Sequence, residues 1–335
     1  MNVIHIANSY TLSDKRGQEI YHAVFSVVDY KSFFHTIRTK KFHILHIHAV
    51  KKELFTVYAC IARACGLKVV VTLHTPTVFS YGYIVHRLCT RFLYNHTICT
   101  SKYIMEHVHK YHLSSRHARS LVYEGVDHKK IDQLPTKDAA RSYIYQRLGI
   151  SFTKNVRLVG TIVDSDMYNG LEHLVDAAYL ADMYKNLTNT VFVILARKSI
   201  SEEVRTQIQE LGVEGLCFVV EYVNNPEEYL RAFDIYVSPR TAIGDLYVLL
   251  AALYVDVPCI ATKVSDTREF EPYVPVPLVP PGSAKYLTEA LMYVIKREKP
   301  VVFKAGIISS SLPKRFTKEH EKQMLREIYE NLSKK

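Results

Sequence analysis

Short, nearly continuous apolar runs alternate along this chain with longer stretches whose apolar positions recur every three or four residues. The runs at 3–7, 43–48, 68–73, 96–100 and 120–123 are rich in Val, Ile and Thr, which predicts strands. Helices are expected between them near 17–29, 51–66, 84–95 and 101–111. From residue 156 the alternation resumes, with strands at 156–160, 190–195, 217–220, 235–237, 258–261 and 276–279. Helices near 170–185, 201–212, 226–233, 245–254, 283–297 and 317–333 separate or follow them. Strands that are apolar on both faces and alternate with helices belong to parallel sheets covered on both sides.

A length of 335 residues exceeds one ordinary domain, so the pattern predicts two doubly wound α/β domains. The expected division is 1–150, 151–312 and a last helix, 313–335, that returns to the first domain; Met324, Leu325, Ile328, Tyr329 and Leu332 give that helix one apolar face. Ligands of such folds sit outside the carboxyl ends of the strands. No apolar run approaches the roughly 18–20 residues needed to cross a bilayer, and residues 1–7 lack the basic and hydrophobic regions of a signal peptide. The six cysteines lie singly in apolar segments without metal or disulfide spacing, so they read as buried reduced thiols of a cytoplasmic protein.

Charge changes the picture because it is uneven. Residues 1–150 hold 21 Lys and Arg against 9 Asp and Glu, a net of +12, together with 14 of the 16 His; the remainder of the chain is net −2. A basic half implies an anionic partner, whether a phosphorylated small molecule, an anionic membrane surface or a nucleic acid, the alternative being a plain solvated basic surface. Tyr83, Tyr94, Tyr103 and Tyr111 lie among basic residues, but no nucleic-acid module accompanies them and helical spacing suits a core edge, so nucleic acid is set aside. The pairs Lys15-Arg16, Lys40-Lys41, Lys51-Lys52 and Lys129-Lys130 are those expected to meet the partner, at a peripheral membrane surface or on an anionic acceptor.

Several segments then occur in a telling order. They are His46-Ile-His48, Gly66 leading through Thr72 to His74, Gly125-Val126-Asp127, Val159-Gly160-Thr161, Asn169-Gly170, Asp234 to Pro239, Gly244, Leu249 to Ala252, Val257-Pro258, Val279 to Gly282, and Arg315-Phe316 leading to Tyr329. Taken together they resemble the GT-B glycosyltransferases, in particular the large retaining family four, the glycosyl transferases of group 1. The resemblance implies two Rossmann-like domains, a nucleotide-sugar substrate rather than a cofactor, sugar transfer with retention at the anomeric carbon, and no metal. It implies contact of the donor with Gly17, Gly160, Thr161, Asn169, Gly244 and Leu246, and a catalytic role for His74.

Departures from the family pattern bear on the chemistry. The family's two donor-site glutamates are replaced by Ile243 and Ala251, and its diphosphate-clamping Arg and Lys by Thr161 and Asn169. Neither Ile nor Ala can accept a hydrogen bond from a hydroxyl, and Thr and Asn bring no charge to a diphosphate. Arg197, Lys198 and Lys263 are the expected replacement cations, and Asp245 the replacement carboxylate. The alternative is a catalytically silent relative that binds a glycan, a nucleotide or a protein. His43, His46 and His48 do not read as a metal site, since no Cys or carboxylate stands at ligand spacing.

Overall fold

The computed structural model describes residues 2–7, 23–26, 33–35, 37, 42–49, 54–74, 92–111, 118–149, 156–163, 170–184, 187, 189–242, 246–271, 278–296 and 313–334. The chain forms two compact units, one of Met1–Gly125 with Lys318–Lys335 and one of Val126–Thr317.

The first unit is built on a six-stranded parallel sheet. Its strands are β1 (Val3–Ala7), β2 (Ala23–Ser26), β3 (Ile44–Ala49), β4 (Lys68–Leu73), β5 (His96–Cys99) and β6 (Arg119–Leu121), in the order β2-β1-β3-β4-β5-β6. Helices α1 (Leu54–Ala64) and α2 (Lys102–Lys110) are two of its crossovers. Ser101 starts α2 by accepting from the Ile104 N–H at 3.2 Å. Where a helix is expected over 17–29, residues 23–26 are instead a strand, paired with β1 from Ile4 opposite Ala23 to Ala7 opposite Ser26. Ala-Val-Phe-Ser is too short to nucleate a helix alone, and the free edge of β1 supplies the ladder that local pattern does not reveal.

One face of this sheet is covered by the end of the chain. Leu325, Ile328 and Tyr329, on one side of the last helix (Lys318–Ser333), pack on Val3, Ile44, Val70, Ile98 and Val122. Each such buried side chain is worth about 1.5–3 kcal/mol.

Unit two begins with α3 (His128–Asp132) and α4 (Lys137–Leu148), which contacts group with this unit rather than with residues 1–125, where the sequence pattern puts them. Thr136 caps α4 and Gly149 ends it in the left-handed region at φ +66°. Arg141 holds it in place, donating to Asp234 Oδ2 at 2.5 Å and to the Ala232 carbonyl at 3.0 Å. The sheet follows with β7 (Arg157–Val163), β8 (Thr190–Ala196), β9 (Cys217–Val220), β10 (Ile235–Ser238), β11 (Cys259–Thr262) and β12 (Leu278–Val279), all parallel in the order β12-β11-β10-β7-β8-β9. Helices α5 (Leu171–Met183), α6 (Glu202–Glu210), α7 (Tyr247–Tyr254) and α8 (Ala284–Lys296) lie between or after the strands, and the expected helix over 226–233 is a 3-10 helix at Pro226–Ala232. An apolar core of Val159, Leu174, Phe192, Ile194, Val237, Ile260 and Leu287 fills the interior. The last helix described above is α9.

Candidate functional site

In the second unit β7 and β10 are neighbours from which the chain leaves in opposite directions, toward β8 and toward β11. The crevice outside their carboxyl ends is where an open α/β sheet takes its ligand. Gly170 closes the turn after β7: its φ is +67°, and an added Cβ would stand 2.1 Å from the Pro239 carbonyl oxygen just past β10. Only glycine fits there, so the start of α5 is brought against the end of β10. Gly170 and Leu246, the N-caps of α5 and α7, give no side-chain hydrogen bond to their helices. Two helix N-termini that take no side-chain cap bond from Gly170 or Leu246 thus follow the two central strands, and such ends favour an anion. Thr262 secures the floor by donating from Oγ1 to the carbonyls of Arg240 at 2.6 Å and Ser238 at 3.3 Å.

Of the site residues expected from sequence, Gly160 lies within β7, where an added Cβ would come within 2.2 Å of the Phe233 ring. Its missing side chain serves packing against Phe233. Thr161 follows it, buried. Arg197 sits just past β8 and donates from Nη2 to the buried Glu227 at 2.8 Å, while Lys130 lies 3.7 Å from the same carboxylate. Its charge is therefore offset inside the fold. Lys198 is exposed, and Lys263 pairs with Glu271 at 2.9 Å on the surface. Leu246 starts α7, and Ala251 is buried within that helix. Gly17, Asn169, Ile243, Gly244 and Asp245 lie outside the described residues, as do Lys15-Arg16, Lys40-Lys41 and Lys51-Lys52. Lys129-Lys130 is in the second unit, not the first.

His74 belongs to the first unit, one residue past β4 and half-buried. It ends a row of side chains that sequence reasoning only partly assembled. His5 on β1 stands opposite His46 on β3, and His48 opposite Thr72 on β4, all toward one face. His46 is bonded through Nδ1 to the Tyr329 hydroxyl and through Nε2 to the Thr72 hydroxyl, each at 2.6 Å. His5 Nδ1 meets His48 Nε2 at 3.1 Å, and His48 Nδ1 meets His74 Nε2 at 3.4 Å. Burial, and then the positive potential of neighbouring imidazoles, holds His5, His46 and His48 well below the ordinary histidine range; Lys318 adds to the effect on His48. His5, His46 and His48 are thereby kept neutral, and His48 meets the ring of His74 from behind. Sequence reasoning names Thr72 and Tyr329 only as parts of motif segments or of a helix face and does not name His5; the strand alternation of residues 3–7 is the available signal for His5, whereas Tyr329 is 283 positions from its partner His46.

The ligating atoms of His5, His46 and His48 lie within 4.8 Å of one another. Two features set these rings up as a hydrogen-bonded relay. Both nitrogens of His46 are engaged in hydrogen bonds, and its ring stacks on that of His48 at 4.4 Å and 25°. Among the cysteines, Cys99, Cys217 and Cys259 are buried, with burial pushing the Cys99 and Cys217 thiols up to about 12. Cys60 and Cys65 are exposed, which corrects the expectation that all six are buried; Cys89 lies outside the described residues. No helix among the described residues is long and apolar enough to cross a membrane.

Two parallel doubly wound units with a switch-point crevice in the second define the GT-B architecture. A family model described as glycosyl transferases group 1 matches residues 153–297, and one described as Glycosyltransferase Family 4 matches residues 15–130. The chain belongs to the GT-B glycosyltransferases, as a divergent member of group 1. Its fold is similar to that of Anabaena HepE in complex with UDP and glucose, with a TM-score of 0.81 and 16% identity over 99% of this chain and 100% of that one. It is also similar to a glycosyltransferase from Rickettsia africae (0.75, 12%, covering 99% and 98%) and to sucrose-phosphate synthase from Thermosynechococcus elongatus (0.74, 13%, covering 99% of each). No curated protein sequence matches the chain.

Proposed function

We propose that this protein transfers a sugar from a nucleoside-diphosphate sugar to an acceptor, retaining the anomeric configuration and needing no metal. The observation that carries this reading is the crevice at the ends of β7 and β10, closed by Gly170 against Pro239 and flanked by the N-termini of α5 and α7, which take no side-chain cap bond from Gly170 or Leu246. Such a place suits a diphosphate, and similar structures hold UDP or UDP-glucose. The donor would lie near Gly160, Thr161, Asn169, Gly244 and Leu246, with Gly17, Arg197 and Lys198 as further contacts and Asp245 as a carboxylate for the sugar hydroxyls. His74, oriented by His48, would act as a neutral hydrogen-bonding group toward the sugar or acceptor. The leaving diphosphate would take the acceptor proton, so no side-chain nucleophile is invoked. The basic residues of the first 150 positions would draw in an anionic acceptor or an anionic membrane surface.

The test is a panel of UDP-, GDP- and ADP-sugars, with nucleoside diphosphate release followed in EDTA and the product's anomeric configuration read by proton NMR. Release in EDTA with retained configuration is expected. Inversion, or loss of activity in EDTA restored by a divalent cation, would overturn those parts of the reading. A second reading, a silent relative that binds without transferring, is favoured by one observation: the expected cation Arg197 is paired with Glu227. Nucleotide binding without release of diphosphate from any donor and acceptor would establish it.

A further inference from the structure

Arg240 stands two positions past the end of β10, directly after Pro239, at the mouth of the switch-point crevice. Sequence reasoning did not single it out. Its side chain is only 16% exposed, yet among the described residues its guanidinium donates no hydrogen bond, and Nη1 is buried without a partner. The carboxylate behind it, Asp266, is buried, but its Oδ2 stays 3.9 Å from Nη1, too far to accept a hydrogen bond. Asp266 is itself held by the N–H of Thr267 at 2.9 Å, and the Arg240 carbonyl is pinned by the Thr262 hydroxyl at 2.6 Å. Backbone and counter-charge are thus fixed while the donors of the side chain are left unspent. A largely buried guanidinium with unspent donors costs folding free energy, and its forked geometry matches phosphate oxygens.

The contrast with the other cations of this unit is direct. Arg197 spends a donor on Glu227 at 2.8 Å and Lys263 spends one on Glu271 at 2.9 Å. The family's clamping positions carry Thr161 and Asn169, which have no charge. We propose that Arg240 is the relocated diphosphate cation: it donates to the phosphates of the nucleotide in the crevice, and Asp266 orients it from behind. This rests on the donor reading above and adds to it the residue that supplies the charge.

The experiment is calorimetric titration of the full chain with UDP, GDP and ADP and with the matching nucleosides, for the wild type, Arg240→Gln and Arg240→Lys. Wild type is expected to bind one diphosphate more tightly than its nucleoside. Arg240→Gln should weaken that diphosphate about tenfold or more while changing nucleoside affinity by less than about twofold. Arg240→Lys, which keeps the charge opposite Asp266 but loses the fork, should fall between them and guards against a folding defect in the Gln variant. Unchanged diphosphate affinity in both variants overturns the role of Arg240 and leaves the donor reading standing. A wild type that binds no diphosphate, or binds it no better than the nucleoside, overturns the donor reading and Arg240 with it.

Discussion

The two units solve the same packing problem with different interiors. Unit two covers one face of its sheet with apolar side chains such as Val159, Phe192, Ile194, Val237 and Ile260, interrupted by the buried Thr161. Unit one does so only at the amino ends of its strands, where Val3, Ile44, Val70 and Ile98 meet α9; toward the carboxyl ends the same face becomes His5, His46, Thr72, His48 and His74. It holds 14 of the 16 histidines and 21 Lys and Arg against 10 Asp and Glu, a net of +11, whereas unit two holds 22 against 23. The second unit shows that a doubly wound sheet needs no buried histidine row, since its buried polar side chains are mainly hydroxyls such as Thr161, Ser238 and Thr262. The histidine row therefore carries a cost in burial, and its half-exposed end, His74, is the group proposed to meet the sugar or acceptor.

The sharpest way to break the comparison is to remove residues 318–335. The first unit should then lose its cooperative unfolding transition while the second keeps its own, as read by calorimetry; survival of both transitions would show that α9 is dispensable. A single replacement, Ile328→Ala, should lower the stability of the first unit by about 2–5 kcal/mol.

Acid comes next. His5, His46 and His48 have folded-state values below the ordinary one, so the unfolded chain binds more protons as pH falls. Their contribution is fully present above about pH 6.5 and is lost as pH drops below it, at about 1.4 kcal/mol for each pH unit and each histidine that must protonate on unfolding. Lys318 faces His48 and any charge gained by His74 or His96 faces His46, so each opposes protonation of the buried rings. Between pH 7 and pH 5 the midpoint of the first unit should fall by several degrees more than that of the second, which contains only His128 and His173. Parallel shifts would erase the distinction.

Gly160→Ala probes the other side, because the new methyl would overlap the Phe233 ring; a loss of about 1–3 kcal/mol confined to the second unit is expected from denaturant titration. Tyr329→Phe removes one hydroxyl from buried His46 and should cost the first unit about 1–2 kcal/mol. Smallest of all, Lys263→Ala breaks an exposed pair with Glu271 and should change stability by less than about 1 kcal/mol.

Much of this was legible because strand and helix periods are local. The runs from 3–7 to 96–100 and from 156–160 to 258–261 contain or overlap the strands that form. Residues 23–26 were misread because their pairing with β1 is invisible locally. Helix α4 was overlooked because only Ala140 and Ile144 of its length are buried, even though Thr136 and Gly149 mark its ends. The unit boundary depends on Arg141 finding Asp234, 93 positions away, which no window of sequence contains. Arg240 was passed over for the same reason. Its proposed role rests on the hydrogen bonds it does not make among the described residues, and these cannot be read without the neighbours that surround it.

The first unit is assembled from both ends of the chain, and this sets an order of events during synthesis. Residues 126–317 are contiguous, so the second unit can close as soon as its strands have left the ribosome. The first sheet, although made earlier, must wait with Val3, Ile44, Val70 and Ile98 exposed until Leu325, Ile328 and Tyr329 emerge. Slow translation of the last third of the message would lengthen that wait, and chaperone demand during expression should follow the delay rather than the stability of the finished protein.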